Sequence, residues 1–515
     1  MPNAGCYPAP GSNQTFMQNG TRLAAVDLGS NSFRLEIGRL EHGQINRTEY
    51  IKETVRQGQG MDADRNLSPE AMQRGWDCLA RFGERLAGFR KAQVRVVATQ
   101  TLREARNRDT FVANAEKLLG FPIDVVSGRE EARLIYQGVA HLLPQSAERR
   151  LVVDIGGRST EMILGQNFDA RVMESYRVGS AAWSQRYFPD AQFSAKAFRT
   201  AEIAAQAVLD EALDVYRPAA WDVAYGASGT IGAVGDILLA AGWPAGVVDR
   251  AGLDWLLERL LAARRAENLR LDGMKEDRRP LIGGGLAVLR ALFDLLDIEQ
   301  MQVAEGALRH GALYDLLDRE HVQTDMRETS VQRLASKFNV DSGQAQRVSR
   351  VAVSLLQQLT ATLPATQTER ALRKLDWAAR LHEVGARISH SDYHKHGAYI
   401  IDNADAPGFS QAELHRLSQL VLGHRGKLRK LDPEIFDRGF AWQLLSLRLA
   451  VILCHARRDP DLQGLTLTES KAPQAVFQVR LRDGWAESWP QSAHLLREEV
   501  IAWQRSPWPL ALASG

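Results

Sequence analysis

The sequence predicts an α/β protein with two similar half-domains that face each other across a cleft, followed by a helical domain and a small α+β domain. One observation is a repeated unit of strand, Asp, Gly turn and returning strand, which occurs at 22–40 and again at 151–165. A second is the alternation of apolar strands with amphipathic helices after each copy. A third is the change of pattern over 328–455, which is almost wholly amphipathic-helical. Two copies of one supersecondary unit in a chain favour two half-domains of the same fold.

The composition excludes several classes of protein. The 515 residues are 45% hydrophobic and 24% charged, and the net charge of +2 gives no global field that would attract nucleic acid. Cys6, Cys78 and Cys454 are odd in number and far apart, which argues against a disulfide framework. No stretch reaches the roughly 18 uninterrupted apolar residues of a membrane helix. We therefore expect a cytoplasmic protein with no transmembrane segment and no nucleic-acid partner; a peripheral position at the inner membrane face stays open.

The predicted domain boundaries follow these changes of pattern. Residues 1–20 lack the basic start and apolar run of a signal peptide and are expected to form a flexible tail. The half-domains, called lobe I and lobe II below, are placed at 21–135 and 136–320. The helical domain is placed at 321–456 and the small α+β domain at 457–515.

Each predicted element of lobe I has a local reason. In the opening unit, apolar residues lead into Asp27, and the returning strand alternates apolar and polar residues. Ser68 as N-cap and Pro69 at the first helical position begin a helix over 68–89. The remaining elements predicted for lobe I are strands at 94–99 and 123–127 and helices at 102–119 and 130–143.

Lobe II repeats the opening unit and then becomes mainly helical. After it, the chain continues in amphipathic helices and finishes with short strands and one helix. The predicted segments are helices near 196–215, 252–265 and 280–297, a strand that runs into a helix at 221–238, a closing segment at 303–317, short strands from 463 onward and a final helix at 493–504.

The two glycine turns are the best local indication of chemistry. A Gly-rich turn after a strand lets backbone N–H groups approach a phosphate oxygen, and an Asp at the strand end suits a hard cation beside it. For either turn alone, an ordinary hairpin whose Asp bonds the turn backbone is the alternative. A pair of such turns in one chain favours phosphate binding. The candidate phosphate-binding residues are Gly29, Ser30 and Asn31 in the first turn and Gly156, Gly157, Arg158 and Ser159 in the second.

Glu131 is the candidate general base for an attacking water molecule. Ser127 and Glu130 have the spacing of a capping box, which assigns Glu130 to the helix end and leaves Glu131 free. A carboxylate beside a phosphate held by backbone amides can deprotonate water. The plainer alternative for Glu131 is a solvent-facing helix carboxylate.

Acidic residues at the turns form a candidate Mg²⁺ site. Asp154 and Glu161 lie on the two strands of one hairpin and can reach the same end of the cleft, and Asp27 has the equivalent place in the first hairpin. Paired acids near phosphate favour Mg²⁺. Arg103, after a strand, and Gly229, at a strand-to-helix turn, are further candidates for phosphate binding. Surface exposure of the Arg and close backbone packing of the Gly are the alternatives.

The histidines of the helical domain are weaker candidates. His382, His394, His396 and His424 suggest a metal site of the HD type, but Glu383 stands where such a site normally has Asp, so we expect no metal there. The run at 424–430 is basic, which is usual for a solvated surface and also suits a long polyanion. The candidate polyanion-contacting residues are Arg425, Lys427, Arg429 and Lys430.

Several motifs together resemble one family. AAVDLGSNSFRLEI, VVATQTLREA, VVSGREEARLIYQGV, LVVDIGGRSTEMILG and AYGASGTIGAV, in this order, are similar to the exopolyphosphatase / guanosine pentaphosphate phosphohydrolase family. The similarity extends to about residue 500. It implies the two-lobed actin-like ATPase (ribonuclease H-like) fold, followed by an all-α HD-like domain and a small α+β C-terminal domain. It also implies a homodimer, Mg²⁺ as cofactor and, as a further candidate, a monovalent cation such as K⁺.

The resemblance also implies roles for individual residues. Glu131 matches the catalytic base of the family, and Asp154 and Glu161 match acidic residues associated with Mg²⁺ and catalysis. Asp27, Arg103 and the two glycine turns fall on the phosphate-binding loops and their neighbours. Arg158 departs from the small residue that members usually carry. A positive φ at Arg158 would strain the backbone by about 1 kcal/mol, and its side chain could add a phosphate contact or crowd the cleft.

We therefore expect an exopolyphosphatase that hydrolyses terminal phosphates of inorganic polyphosphate processively, with Mg²⁺ and with Glu131 as general base. Hydrolysis of guanosine pentaphosphate to tetraphosphate needs the same apparatus and is the alternative. IYQGVAH at 135–141 favours the pentaphosphate, whereas the segment at 381–409 favours polyphosphate. A kinase shares the fold but would need a sugar-binding insertion. A non-catalytic alarmone-binding regulator would have no need of the base and its acidic neighbours.

Overall fold

The computed structural model describes residues 17–144, 146–319, 324–431, 433–470, 477–504 and 506–514. The chain forms two units, Met1–Thr324 and Asp325–Gly515. The expected tail lies almost entirely outside the described residues. None of the helices in those ranges is both long and apolar enough to cross a membrane.

Lobe I is built on a five-stranded sheet in the order β3-β2-β1-β4-β5. The first three strands are antiparallel neighbours, and the other two are added in parallel. The sequence analysis missed β3 because most of its side chains are polar and partly or fully exposed, so it has no apolar face of its own. The strands are β1 (Arg22–Leu28), β2 (Phe33–Glu41), β3 (Gln44–Glu53), β4 (Val94–Ala98) and β5 (Asp124–Val125).

The helices of lobe I begin where the sequence predicts, with one difference. Ser68 Oγ accepts a hydrogen bond from Ala71 N at 3.2 Å, as an N-cap does. The single helix predicted at 102–119 is two helices, because the side chain of Asn107 bonds the backbone of Leu67 through both its oxygen and its nitrogen, at 2.9 and 3.0 Å. The helices are α1 (Pro69–Arg85), α2 (Gln100–Glu104), α3 (Arg108–Leu119) and α4 (Gly128–Leu142), and the predicted boundary after residue 135 lies within α4.

Lobe II repeats the sheet of lobe I. Its strand order is β10-β11-β9-β6-β7-β8, so β8-β7-β6-β9-β11 corresponds to β3-β2-β1-β4-β5, and β10 is an added antiparallel edge strand. The predicted repeat is therefore confirmed, and it is a three-stranded meander rather than a hairpin. The strands are β6 (Arg149–Ile155), β7 (Thr160–Gln166), β8 (Asp169–Tyr176), β9 (Val223–Gly226), β10 (Val247–Asp249) and β11 (Gln300–Val303).

The helices of lobe II cover its sheet. α9 is buried along most of its length and belongs to one apolar core with α5, α6 and α8. The helices are α5 (Ser180–Tyr187), α6 (Ala195–Leu209), α7 (Gly229–Ala240), α8 (Arg250–Ala263), α9 (Ile282–Leu295) and α10 (Leu308–Asp318).

α4 and α10 form a pair that packs against both sheets. One apolar core contains Val97 of lobe I, Val152 of lobe II, Ile135 of α4 and Leu313 of α10. Because both sheets contribute to this core, the helix that carries the candidate base is fixed between the lobes.

The contact between α4 and α10 depends on small residues and buried charge. A Cβ atom at Gly311 would lie only 1.7 Å from the carbonyl oxygen of Leu134, so the two helices touch through their backbones. Beside this contact, Arg133 donates to the carboxylates of Glu130 at 2.7 Å and Asp315 at 2.5 Å, and all three side chains are buried. Breaking such a buried ionic group by removing one partner is strongly destabilising.

The second unit has a helical core with a small sheet of order β12-β13-β14. One apolar core includes Trp377 of the helical part and Trp485 and Trp503 of the small sheet region. The chain does not finish in the predicted helix, because β14 follows it and pairs in parallel with β13. The elements are α11 (Met326–Lys337), α12 (Ser342–Thr360), α13 (Ala365–Leu381), α14 (Tyr393–Asp402), α15 (Gln411–Gly423), α16 (Arg438–Leu453), β12 (Leu465–Glu469), β13 (Phe477–Leu481), α17 (Trp485–Ser488), α18 (Pro490–Trp503) and β14 (Leu510–Ser514).

We predict that Gly311→Ala lowers the free energy of unfolding by about 2 kcal/mol or more, because the added methyl group meets the backbone of α4. Gly232→Ala in α7 is the matched control, since its Cβ would meet no neighbouring atom within 4 Å. Better helix propensity should stabilise that variant by up to about 1 kcal/mol. Urea denaturation of both variants measures the difference, and equal effects would contradict the close contact.

Candidate active site

The two glycine turns lie against each other between the lobes. A Cβ atom at Gly157 would lie 3.2 Å from Cβ of Ser30, and Gly156 N donates to Ser159 O at 2.9 Å to close the second turn. The glycines of these turns do not have positive φ, so close approach rather than an unusual backbone conformation requires them. The structure thus brings together the predicted phosphate-binding positions Gly29, Ser30, Asn31, Gly156, Gly157, Arg158 and Ser159.

Each turn is held by a neighbouring segment. In lobe I, Gly58 N donates to Ser30 O at 2.8 Å, and Thr101 Oγ1 donates to Ser30 Oγ at 2.8 Å. In lobe II, Ser180 N at the start of α5 donates to Gly156 O at 2.9 Å. The turns are therefore pre-organised, which reduces the entropy lost when a ligand binds.

Glu131 lies in the first turn of α4 and is buried rather than solvent-facing. Arg103 Nη1 donates to Glu131 Oε2 at 3.0 Å and to Val126 O at 2.8 Å. Burial raises the pKa of Glu131, Arg103 opposes this rise, and the charge of Asp27 adds to it. A carboxylate with a raised pKa is suited to take a proton from water near neutral pH. Arg103, predicted to bind phosphate, holds Glu131 in this structure.

Glu130 has a different partner from the one expected. Ser127 Oγ accepts from Glu130 N at 3.1 Å, which is the first half of the predicted capping box. The carboxylate of Glu130 accepts two hydrogen bonds from Arg133 and so belongs to the buried ionic group between α4 and α10. Glu130 and Glu131 therefore have different partners, as predicted. Glu130 is held by its ion pair with Arg133 rather than by the capping box.

Asp154 and Glu161 face each other directly across the β6–β7 ladder. Burial, followed by the charge of Glu131, raises the pKa of Asp154 to about 7. Burial and the charges of Glu131 and Asp154 raise the pKa of Glu161 well above its usual range, against a 2.7 Å hydrogen bond donated by Ser175 Oγ. The carboxylates thus concentrate negative charge that the protein only partly compensates.

This surplus of negative charge fits a divalent cation. Among the described residues, no group of three or more His, Cys, Asp and Glu side chains is arranged to hold a metal ion without other ligands. Asp27 is already paired with Arg34 at 2.8 Å. Mg²⁺ is usually bound by one or two carboxylates together with waters and substrate phosphates. Asp154 and Glu161 are therefore the residues that could hold Mg²⁺ once phosphate is present.

Arg158 crosses from the second turn to lobe I. Its Nη2 donates to Glu104 Oε2 at 3.1 Å, and its Nη1 lies 3.4 Å from Gly58 O. Gly58 leaves room for this side chain, because a Cβ atom there would be 3.1 Å from Cδ of Arg158. The φ of Arg158 is not positive, so the backbone strain considered from the sequence does not arise.

Sequence reasoning missed two arginines near the candidate site, Arg278 beside Gly229 and Arg34 close enough to Arg278 to act on its charge. A Cβ atom at Gly229 would lie 2.3 Å from Nη2 of Arg278, so this guanidinium covers the start of α7. Within the described ranges, the side chain of Arg278 has no hydrogen bond or ion pair, and burial together with the nearby charge of Arg34 lowers its pKa. Ser228 Oγ already accepts from two amides of α7, so an anion there would be bound mainly by the arginines. Only the fold brings Arg34 and Arg278 together, and Arg278 stands in none of the motifs described above.

The predicted residues of the helical domain lie in the second unit. The rings of His382 and His424 are 5.5 Å apart, those of His394 and His424 are 6.3 Å apart, and burial lowers the pKa of each. Burial thus favours the neutral form of these rings. The four basic residues of the run, Arg425, Lys427, Arg429 and Lys430, are exposed between α15 and α16.

Comparison with known proteins identifies the family. The profile of the Ppx/GppA phosphatase family matches residues 37–320, and that of Ppx/GppA phosphatase, domain III, matches residues 326–500. The chain belongs to the Ppx/GppA phosphatase family. The resemblance found from its motifs is thereby confirmed, and the chain is a hydrolase of this family.

Relatives within the Ppx/GppA family cover nearly the whole chain. The guanosine-5'-triphosphate,3'-diphosphate pyrophosphatase of Pseudoalteromonas translucida is 39% identical over 490 residues, which are 95% of this chain and 97% of the relative. The protein of the same name from Vibrio atlanticus is 41% identical over 87% of this chain and 92% of its own length. The solved exopolyphosphatase of Cytophaga hutchinsonii has a TM-score of 0.53 at 24% identity and covers 59% of this chain and 99% of its own, which confirms the two-lobed actin-like fold.

We predict that Asp154→Asn stabilises the fold in Mg²⁺-free buffer by about 2 to 4 kcal/mol at pH 8. The pKa of Asp154 is raised to about 7 in the folded chain. In the unfolded chain the Asp154 carboxyl ionises near pH 4. This carboxyl therefore lowers the stability of the parent protein progressively as the pH rises from about 4 to about 7. The gap between variant and parent should therefore widen over this window and then stay level. Thermal melts at several pH values measure it, and a gap that is constant from pH 4 to 8 would contradict the assigned shift.

Proposed function

We propose that the chain hydrolyses guanosine pentaphosphate to guanosine tetraphosphate and phosphate. The observation that carries this proposal is its identity of 36 to 41% with relatives named guanosine-5'-triphosphate,3'-diphosphate pyrophosphatases, over 87 to 96% of its length. The sequence analysis preferred polyphosphate, with the pentaphosphate as the alternative. The relatives favour the alternative.

The charges of the cleft support a substrate with more than one phosphate group to bind. Guanosine pentaphosphate carries a triphosphate at one ribose position and a diphosphate at another. The glycine turns can receive the terminal phosphate of the triphosphate through backbone N–H groups. Arg34 and Arg278 supply a second cationic position, and Arg278 has no side-chain partner among the described residues. A guanidinium suits phosphate because it can donate two parallel hydrogen bonds.

Glu131 is the base in the proposed reaction. A water oxygen attacks the terminal phosphorus while its proton passes to the carboxylate of Glu131. The bond between this phosphorus and the bridging oxygen breaks, and the electron pair leaves with guanosine tetraphosphate. Little covalent chemistry falls to the protein, because positioning and charge neutralisation supply most of the acceleration.

Asp154 and Glu161 would hold Mg²⁺ in this proposal, and the bound ion would neutralise phosphate charge. These acids sit close enough to Glu131 for its charge to raise the pKa of both. A cation there would lower these pKa values and keep Glu131 ionised at neutral pH.

We predict that Glu131→Gln lowers kcat for phosphate release from guanosine pentaphosphate by at least about 100-fold, because the amide cannot accept the proton of water. Substrate binding should persist, since the turns and arginines are intact. Phosphate release and equilibrium binding of the substrate measure the two effects. A kcat equal to that of the parent, with only weaker substrate binding, would contradict the role of Glu131 as base.

We predict that Arg278→Ala raises KM for guanosine pentaphosphate about 10-fold or more, because it removes a charged phosphate partner. Arg279→Ala is the matched control, since this neighbour is already paired with Glu276 at 2.6 Å.

The same assays with long-chain polyphosphate test substrate choice. Faster release from polyphosphate than from the pentaphosphate by the parent chain would overturn the proposed function.

Polyphosphate is the second candidate substrate, and one observation favours it. Arg425, Lys427, Arg429 and Lys430 are all exposed, and no ion pair joins them to an acid in the part of the chain that the structure describes. Such a surface suits a long polyanion.

The homodimer implied by the family resemblance remains part of the proposal, and sedimentation equilibrium of the full chain measures it.

A further inference from the structure

A series of side-chain hydrogen bonds runs along α2 from the second glycine turn to the candidate base. Arg158 Nη2 donates to Glu104 Oε2 at 3.1 Å, and Gln100 Nε2 donates to Glu104 Oε1 at 2.6 Å. Arg103 Nη2 donates to Gln100 Oε1, and Arg103 Nη1 donates to Glu131 Oε2 at 3.0 Å. These five residues are called the α2 network below. Each of its inner members is bonded on both sides, so the orientation of one side chain limits that of the next.

The α2 network is shielded from water. The side chain of Glu104 is 11% exposed and that of Glu131 is 9% exposed, while Arg103 and Arg158 are 15% and 26% exposed. Charged hydrogen bonds in such surroundings are stronger than those at a surface. Apart from Arg158, the only other cation paired with Glu104 in the described ranges is Arg177, at 3.6 Å and 75% exposed. Arg158 is therefore the main charged partner of Glu104.

We propose that Arg158 is a positioning residue that orients Glu131 through the α2 network. Arg158 fixes Glu104, Glu104 and Gln100 fix the guanidinium of Arg103, and Arg103 fixes the carboxylate that takes the proton from water. The backbone of Arg158 belongs to the turn that receives phosphate, so the network joins the phosphate-binding turn of lobe II to the base. This inference depends on Glu131 being the base and is independent of which phosphate substrate is bound.

The competing hypothesis is that Arg158 contacts the substrate phosphate directly. The variant Glu104→Gln distinguishes this role from the positioning role. If Arg158 acts through Glu104, Glu104→Gln weakens the network and lowers kcat. If Arg158 instead binds phosphate, Glu104→Gln frees its charge and lowers KM. Glu104→Gln keeps the size of the side chain, so it tests the charge with little change of packing.

The experiment measures kcat and KM of phosphate release for Arg158→Ala, Arg158→Lys, Glu104→Gln and the double variant Arg158→Ala with Glu104→Gln. The substrate is whichever of guanosine pentaphosphate and polyphosphate the parent chain hydrolyses faster. We expect Arg158→Ala to lower kcat about 10- to 100-fold with KM within about 2-fold of the parent. Arg158→Lys should restore part of kcat. The double variant should be no slower than the slower single variant, because both act on one network.

Arg177→Ala is the matched control, since it removes an exposed guanidinium beside the same carboxylate, and its kcat should equal that of the parent. Thermal melts test whether each variant is folded. If Arg158→Ala does not fold, the kcat and KM values of Arg158→Lys and Glu104→Gln test the proposal instead. A rise of KM at constant kcat, a lower KM in Glu104→Gln, or additive losses in the double variant would overturn the positioning role. Hydrolysis of polyphosphate alone would overturn only the proposed substrate, whereas release from neither substrate would overturn both proposals.

Discussion

The first unit depends on one electrostatic constraint, which is the burial of several carboxylates beside a site for an anion. The charge of Glu131 raises the pKa of both Asp154 and Glu161, and phosphate would add more negative charge. Such an arrangement is stable only if cations and hydrogen-bond donors surround it. Arg103 beside Glu131 and Arg34 beside Asp27 provide part of this compensation. A phosphate substrate with its cation would provide the rest, so the cleft is complementary to a charged complex.

The duplicated sheet explains how one site receives a turn from each lobe. The order β3-β2-β1-β4-β5 recurs as β8-β7-β6-β9-β11, so the turn after the first strand occupies the same place in both sheets. Neighbouring segments hold these turns by backbone bonds, through Gly58 in lobe I and Ser180 in lobe II. Because backbone hydrogen bonds hold the turns, the side chains around the turns can carry charge instead of fixing the turns. The arrangement of the cleft thus fits a phosphatase of the Ppx/GppA family.

Local patterns predicted the parts of the site that depend on neighbours in sequence. The turn residues after Asp27 and Asp154, the cap at Ser68 and the separate roles of Glu130 and Glu131 could all be found in this way. The sequence could not reveal β3, whose side chains are mostly polar because little of it is covered. It also gave no indication of Arg278 or of the path of Arg158, because their partners lie far away in sequence and only the packing of the lobes brings them near.

The position of α4 between the sheets has a consequence for motion. Apolar residues of both lobes pack on the α4–α10 pair, and the backbones of these helices are in contact at Gly311. If the angle between the lobes changes, we expect its axis to lie near these helices. Points close to an axis move least, so the separation of the two glycine turns should vary more than the place of Glu131. The proton acceptor would then stay still while the groups that receive phosphate open to admit it and close around it.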